Sequence, residues 1–222
     1  MKAKVALILS GCGYLDGAEI NESVLTLLAL AKSGADVQCV APDITQRNVV
    51  DYRSGETIED EDRNVLTEAA RIARGEIRSL DDLRANEFDA IFYVGGYGVA
   101  KNLSSFAFDG PDYDIDPGIN DLIQAAHRGG IPQGFICIAP VLAACALGQH
   151  SVLLTIGNDA AIADAMKSKG AQHQDCPVDD IIVDRGNRVV STPAYLLAEK
   201  ITDAEAGINR LVASVLQLVA QK

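Results

Sequence analysis

A chain of 222 residues that is 48% hydrophobic and 23% charged has enough apolar content for one large core, and it reads as a single domain over residues 1–222. The formal net charge of -12 lacks the Lys and Arg excess that neutralises phosphates, which argues against nucleic acid or an anionic membrane surface as a partner. Five cysteines, an odd number without paired spacing, make no disulfide framework and point to a reducing cytoplasm, and no clustered His and Cys suggests a metal.

Met1 to Lys4 followed by Val5-Ala6-Leu7-Ile8-Leu9 has the outline of a secretory leader, but the apolar run is too short and ends in Ser10-Gly11-Cys12-Gly13, so Lys4 to Ser10 reads as a first core strand. The glycine-rich turn from Gly11 to Gly17 fails as a dinucleotide fingerprint. Its spacing is not G-x-G-x-x-G, and Val40-Ala41-Pro42 stands where a ribose-binding acid belongs. A helix follows from Ala18 to Lys32, with Glu19 in its first turn and Gly34 as its stop. Asp36 to Ala41 reads as a strand and Pro42 to Glu61 as a polar surface excursion, before a helix from Arg63 to Arg74 and a short helical turn at 81–84. The strand Ala90 to Val94 ends in Gly95-Gly96-Tyr97-Gly98, whose backbone N–H groups are left accessible for an anion or oxyanion. Phe106 to Pro117 reads as a loop, and Asp116 caps a helix that runs to about His127 and stops at Gly129-Gly130.

Ile131 to Ile136 is then a short apolar strand, and a small-residue helix from about Ala139 to Leu147 follows almost without a linker. Cys137 sits at that junction. A chain that turns from strand to helix so abruptly lifts the junction side chain above the sheet, beside the free N–H groups of the new helix, where a thiol pKa falls and an oxyanion finds donors. Beyond it come a strand (152–156), a helix (159–169), a short strand (171–174), a hairpin over 180–191 and a closing helical region over 194–199 and 204–219. Alternating strands and helices specify an α/β domain with a largely parallel sheet, whose ligands bind beyond the carboxyl ends of the strands. Glu19, Gly95-Gly96 and Cys137 should all face that crevice.

The segments Gly11 to Glu19, Gly95 to Leu103, Gly134 to Pro140, Val178 to Ile181 and Thr192 to Tyr195, taken in that order, resemble the glyoxalase ElbB group, also called the isoprenoid-biosynthesis or sigma-cross-reacting protein. That group lies in the PfpI-like branch of the class I glutamine amidotransferase-like superfamily, and the likeness runs from about Lys4 to Val219. It implies a flavodoxin-like three-layer sandwich with a mostly parallel sheet and Cys137 on a nucleophile elbow. It also implies a Glu19 carboxyl beside the thiol, an oxyanion hole from the N–H groups of Gly96 and Ile138, and a homodimer. Gly95, Asn102 and Gly13 are the substrate-binding candidates. One departure is plain: Ile138 stands where PfpI-like proteases carry a His, and Pro193-Ala194-Tyr195 stands where glutamine amidotransferases carry His-x-Glu, so the usual base is missing. His127 and His150 read as surface or loop residues. His173 is nearest to the segment where other superfamily members place a catalytic His.

The function expected from these residues is a slow, cofactor-free glyoxalase of the lyase class. Cys137 would add to glyoxal or methylglyoxal and Glu19 would shuttle a proton, chemistry that tolerates a missing His because the electrophile is reactive in itself. Two rivals share the site: a redox sensor whose Cys137 is oxidised, and a non-catalytic amidotransferase-like binding module.

Overall fold

The computed structural model of the chain describes residues 2–221. The hydrophobic run after Lys4 forms β1 (Lys4–Ile8), all of it buried except the first residue. Helix α1 (Ile20–Lys32) begins later than its apolar residues suggest, because the Glu19 carboxylate accepts the Glu22 N–H at 2.5 Å and so makes Glu19 the N-cap. β2 (Asp36–Ala41) follows, and then an irregular excursion over residues 42–61. That excursion is pinned to the first loop by the buried Asp16 carboxylate, which accepts the Val50 N–H at 2.9 Å and the Tyr52 hydroxyl at 2.8 Å. α2 (Val65–Ile72) is capped by Asn64. β3 (Ile77–Ser79), too short for a sequence pattern to show, adds an edge strand.

β4 (Ala90–Tyr93) runs into two short helices, α3 (Tyr97–Lys101) and α4 (Phe106–Asp109), the second lying where the sequence suggests only a loop. α5 (Pro117–Arg128) starts as expected, with Asp116 accepting the Ile119 N–H at 3.0 Å and Pro117 in the first turn. β5 (Gln133–Ile136) and α6 (Pro140–Leu147) carry the junction cysteine between them. α6 is apolar on every side and correspondingly buried. The apolar segment after it shortens to β6 (Leu153–Leu154), which pairs in parallel with β7 (Gln172–His173) across α7 (Ala160–Ser168) and stands outside the main sheet. β8 (Ile182–Asp184) and β9 (Val189–Thr192) form the expected antiparallel hairpin, and α8 (Ile201–Val219) closes the chain.

The main sheet has seven strands in the order β3-β2-β1-β4-β5-β9-β8, parallel except for the β8–β9 pair. Helices α1 and α8 pack together on one face and α5 and α6 on the other, giving the three-layer sandwich. The chain leaves β1 toward β2 on one side and returns to β4 on the other. That reversal opens a crevice beyond the carboxyl ends of β1 and β4. The loops after β1, β4, β5 and β9 converge there. Among the described residues no helix is long and apolar enough to cross a membrane.

Candidate active site

Cys137 is the first residue after β5, and its backbone takes the left-handed conformation, φ 61, which L-residues with a Cβ rarely adopt. The turn is held because the Cys137 N–H donates to the Thr192 carbonyl at 2.9 Å and the Ala139 N–H to the Ile136 carbonyl at 3.0 Å. This conformation turns the thiol toward the loop after β4, and the N–H groups of Gly96, in that loop, and of Ile138, the next residue, act on the sulfur to favour its thiolate.

The glycines of that loop are there for space. A Cβ at Gly95 would collide with the Cβ of Cys137 and stand 2.5 Å from Glu22 Oε2, and a Cβ at Gly96, whose φ is 96, would meet the Glu19 nitrogen and the Gly17 carbonyl. With no side chains in the way, the two loops lock together: Glu19 N–H donates to the Gly95 carbonyl at 3.0 Å, Tyr97 N–H to that of Tyr14 at 2.7 Å and Gly98 N–H to that of Gly17 at 2.9 Å. The sulfur, the Gly96 amide and the start of α1 are thereby fixed relative to one another.

The carboxyl that meets the thiol is Glu22, not Glu19. Glu22 is fully buried on the inward stripe of α1 with Leu25, Thr26, Ala29 and Leu30. Its Oε1 accepts the Tyr195 N–H at 3.2 Å, while Oε2 has no partner of full hydrogen-bond geometry and lies against the Cys137 thiol and the Gly95 amide. The Glu19 carboxylate is turned back to cap α1 and lines the same cavity nearer its rim. The reason is local geometry: Glu19 is the extended N-cap, outside the helical repeat, whereas Glu22 stands three residues before Leu25 and four before Thr26 on the buried stripe. A Glu falling at the spacing of the buried Leu and Ala positions is the signal that identifies Glu22 in the sequence.

Burial and the neighbouring Glu19 push the Glu22 carboxyl up to about 8. Burial first, then the Glu22 carboxyl beside it, raise the Cys137 thiol well above its ordinary value, with the Gly96 and Ile138 amides pulling it down. The lowered thiol expected at a helix start is thus overridden, because Cys137 is only 7% exposed and its sulfur faces a carboxyl. Both shifts favour the neutral, protonated forms. An approaching electrophile can therefore draw the sulfur out only where Glu22 has given up its own proton and its carboxylate takes the thiol's.

Above the sulfur lies a cavity of about 380 Å³. Gly96 and Ile138 line it with Cys137 and Glu19. Asn102 does not: its amide donates to the Ser10 and Asp16 carbonyls at 3.0 and 2.9 Å, its Oδ1 accepts the Arg47 N–H, and it ties loops together beside a separate cavity. Gly13 is likewise structural, since a Cβ there would overlap the Tyr52 hydroxyl. Gly95 supports the Cys137–Glu22 contact from below without lining the cavity. His173 does not line it either; its ring accepts the Ile156 N–H at 3.4 Å, and burial lowers its pKa. Among the described residues no cluster of three or more His, Cys, Asp or Glu is placed to hold a metal.

With this geometry in view, the likeness to known proteins is informative. The chain is 43% identical over 228 residues to the glutamine amidotransferase-like class 1 domain-containing protein 3 of Homo sapiens, a mitochondrial protein by name, covering 99% of this chain and 84% of that one. The chain belongs to the glutamine amidotransferase-like class 1 (ES1) family. Among solved structures, the isoprenoid biosynthesis protein with amidotransferase-like domain from Ehrlichia chaffeensis matches at 34% identity and a TM-score of 0.90, over 97% of this chain and 99% of that chain. More distantly, a ThiJ/PfpI domain protein from Brachyspira murdochii shares the fold at 15% identity and a TM-score of 0.60, over 98% of this chain and 99% of that one. No family model matches the chain. One expectation is overturned here. The ES1-family relatives from Homo sapiens, Rattus norvegicus and Danio rerio are all named mitochondrial, against the cytoplasm inferred from free cysteines. An odd set of unpaired thiols separates reducing from oxidising surroundings but does not choose among reducing ones.

Proposed function

We propose that the chain is a cofactor-free glyoxalase that converts glyoxal, and methylglyoxal, to the corresponding 2-hydroxy acid, with Cys137 as nucleophile and Glu22 as proton acceptor. The observation that carries the reading is the Glu22 carboxyl lying against the Cys137 thiol at the floor of a cavity, with the Gly96 and Ile138 N–H groups on the sulfur. The sulfur adds to the aldehyde carbon while the thiol proton passes to the Glu22 carboxylate. The resulting alkoxide takes up a proton to complete a hemithioacetal, and the two amides freed from the sulfur are the donors closest to that oxygen. Removal of the proton on the former aldehyde carbon gives an enediol, and protonation of the adjacent carbon leaves a thioester. Water then attacks the thioester, the carbon–sulfur bond breaks, and the 2-hydroxy acid departs with the thiol restored. Dicarbonyl plus water equals product, so no redox cofactor is needed. Glu19 acts as a positioning residue, holding the first turn of α1 and with it Glu22.

The test is glyoxal loss together with glycolate formation. Cys137→Ser should abolish both, and Glu22→Gln should lower kcat by about 10²- to 10⁴-fold, the span of general acid–base catalysis. Unchanged rates in both variants would reject the scheme.

A second reading is favoured by one observation, the fully buried Glu22 carboxyl lying against the thiol, where burial favours its proton-donating form. Two equivalents of hydrogen peroxide would take the Cys137 thiol to a sulfinate, releasing two waters, and the Glu22 carboxylic acid is placed to donate to a sulfinate oxygen. Selective oxidation of Cys137 by mild peroxide, seen by mass spectrometry in a protein without dicarbonyl turnover, would favour this role over catalysis.

A further inference from the structure

The cavity over Cys137 is far larger than glyoxal needs, and its walls say what else it is shaped for. At about 380 Å³ it falls within the roughly 300–1,000 Å³ of sites that enclose drug-sized ligands. Beside Cys137 and Gly96 its lining holds one acidic group, Glu19, and the rings of Tyr14 and Tyr97. The walls are apolar: Phe106, Ile162 and Leu196 enclose the body of the space, and the Tyr195 ring completes it. These walls are set in advance. Phe106 packs edge-on against the fully buried Tyr113 at 5.0 Å, and the Tyr113 hydroxyl donates to the Val141 carbonyl at 2.7 Å. The Tyr195 hydroxyl accepts from the Asn21 amide at 3.1 Å, while the same residue's N–H holds Glu22.

No Lys, Arg or His is among the cavity's lining residues. The nearby Lys101 ammonium is engaged elsewhere, donating to the Leu15 carbonyl at 2.8 Å and lying 5.7 Å from the Tyr97 ring centroid. A carboxylate or phosphate on the substrate would therefore enter an apolar space without a counter-charge, next to the Glu19 carboxyl, and burying an unpaired anion is costly. An uncharged ring would gain the burial of its apolar surface and contact with fixed aromatic walls. The 2-hydroxy acid formed at the floor is an anion, so the charge pattern that excludes acidic substrates also favours release of product.

We propose that the preferred substrates are α-oxoaldehydes whose second substituent is an uncharged aromatic group, and that Phe106, Ile162 and Tyr195 determine this preference. The inference rests on the aldehyde chemistry proposed for Cys137, and its test keeps the two separable. The kcat/KM values of the protein for glyoxal, methylglyoxal, phenylglyoxal and 4-carboxyphenylglyoxal are measured, each divided by the rate of the same dicarbonyl with free N-acetylcysteine to remove intrinsic reactivity. Phenylglyoxal should exceed methylglyoxal by about tenfold or more, and the carboxylated analogue should fall below phenylglyoxal by a similar factor. Ile162→Lys, which supplies the absent cation, should narrow that second gap. Alongside, calorimetry on Cys137→Ala reads binding of the unreactive acetophenone against benzoate, and acetophenone should bind more tightly. Turnover of glyoxal with no preference for phenylglyoxal, and benzoate bound as well as acetophenone, would overturn the inference while leaving the glyoxalase reading intact. No turnover of any dicarbonyl, with acetophenone still preferred, would reject the chemistry and retain the cavity's selectivity.

Discussion

The Glu22 carboxyl lies against the Cys137 thiol and raises its pKa, while the thiol pulls the carboxyl the other way, against the larger upward push of burial and Glu19. Ionising one of the two disfavours ionising the other, so they titrate as a coupled pair. Glu19, a turn earlier on the same helix, caps α1 and stands outside that exchange.

A division of labour between the two acids is measurable. Glu22→Gln should cost glyoxalase activity by orders of magnitude, whereas Glu19→Gln keeps an oxygen able to accept the Glu22 N–H and should retain most of it. Steady-state kinetics of the two variants decide the matter, and equal losses in both would refute the assignment.

Activity should depend on pH with a defined sign. The form that accepts the thiol proton is the Glu22 carboxylate, and the carboxyl is pushed up to about 8. kcat/KM should therefore rise from pH 6, pass half its plateau near pH 8 and level off above about pH 9, the limb reporting the coupled pair rather than either residue alone. A flat profile across this range would remove Glu22 from the reaction.

Stability should fall over the same window. The ordinary value for Glu22 is 4.5 and the folded value about 8, so the folded protein holds a proton that the unfolded chain releases. This contribution is complete below pH 4.5 and is lost as pH rises through 8, amounting to at most on the order of 5 kcal/mol. Glu22→Gln, which stays neutral, should lose less Tm between about pH 5 and about pH 9 than the parent protein. Parallel Tm curves would show that the carboxyl ionises freely in the fold.

Gly95→Ala tests the packing beneath the pair. The new methyl would press on the Cys137 Cβ and on Glu22 Oε2, groups that cannot retreat without moving β5 or α1. Overpacking of this kind costs about 1–3 kcal/mol, and activity should drop further than folding does. Denaturant unfolding beside kinetics on the folded fraction separates the two effects.

Asn102→Ala gives the opposite pattern. Its amide and carbonyl tie Ser10, Asp16 and Arg47 together away from the cavity, so the substitution should lower stability by about 1–3 kcal/mol and leave KM for glyoxal unchanged. A raised KM without loss of stability would return Asn102 to the substrate site.

Much of the architecture is written locally. Apolar runs after Lys4, Asp36, Ala90 and Ile131 became parallel strands, and the cap read at Asp116 marks a real helix start. The Gly95-Gly96 pair and the junction cysteine are visible for the same reason: glycine spacing and an abrupt change of hydrophobic period are properties of neighbouring residues. The segments that deviate are those whose fate depends on distant partners. β3 is an edge strand made by pairing with β2, and β6 left the main sheet because β7 took it. The short α4 forms where Phe106 finds Tyr113.

The amino-acid order alone determined that this is an α/β domain and that a cysteine stands where a strand becomes a helix, because periodicity and turn chemistry act over a few residues. Only the tertiary structure decided which acid the sulfur meets, what its proton does, and that the space above it is walled by Phe106, Ile162 and Tyr195. Those outcomes depend on groups brought together from α1, α4, α7 and the loops after β4, β5 and β9, and on the water that their packing excludes. Neither the distance between remote side chains nor the local dielectric is encoded in any one stretch of chain.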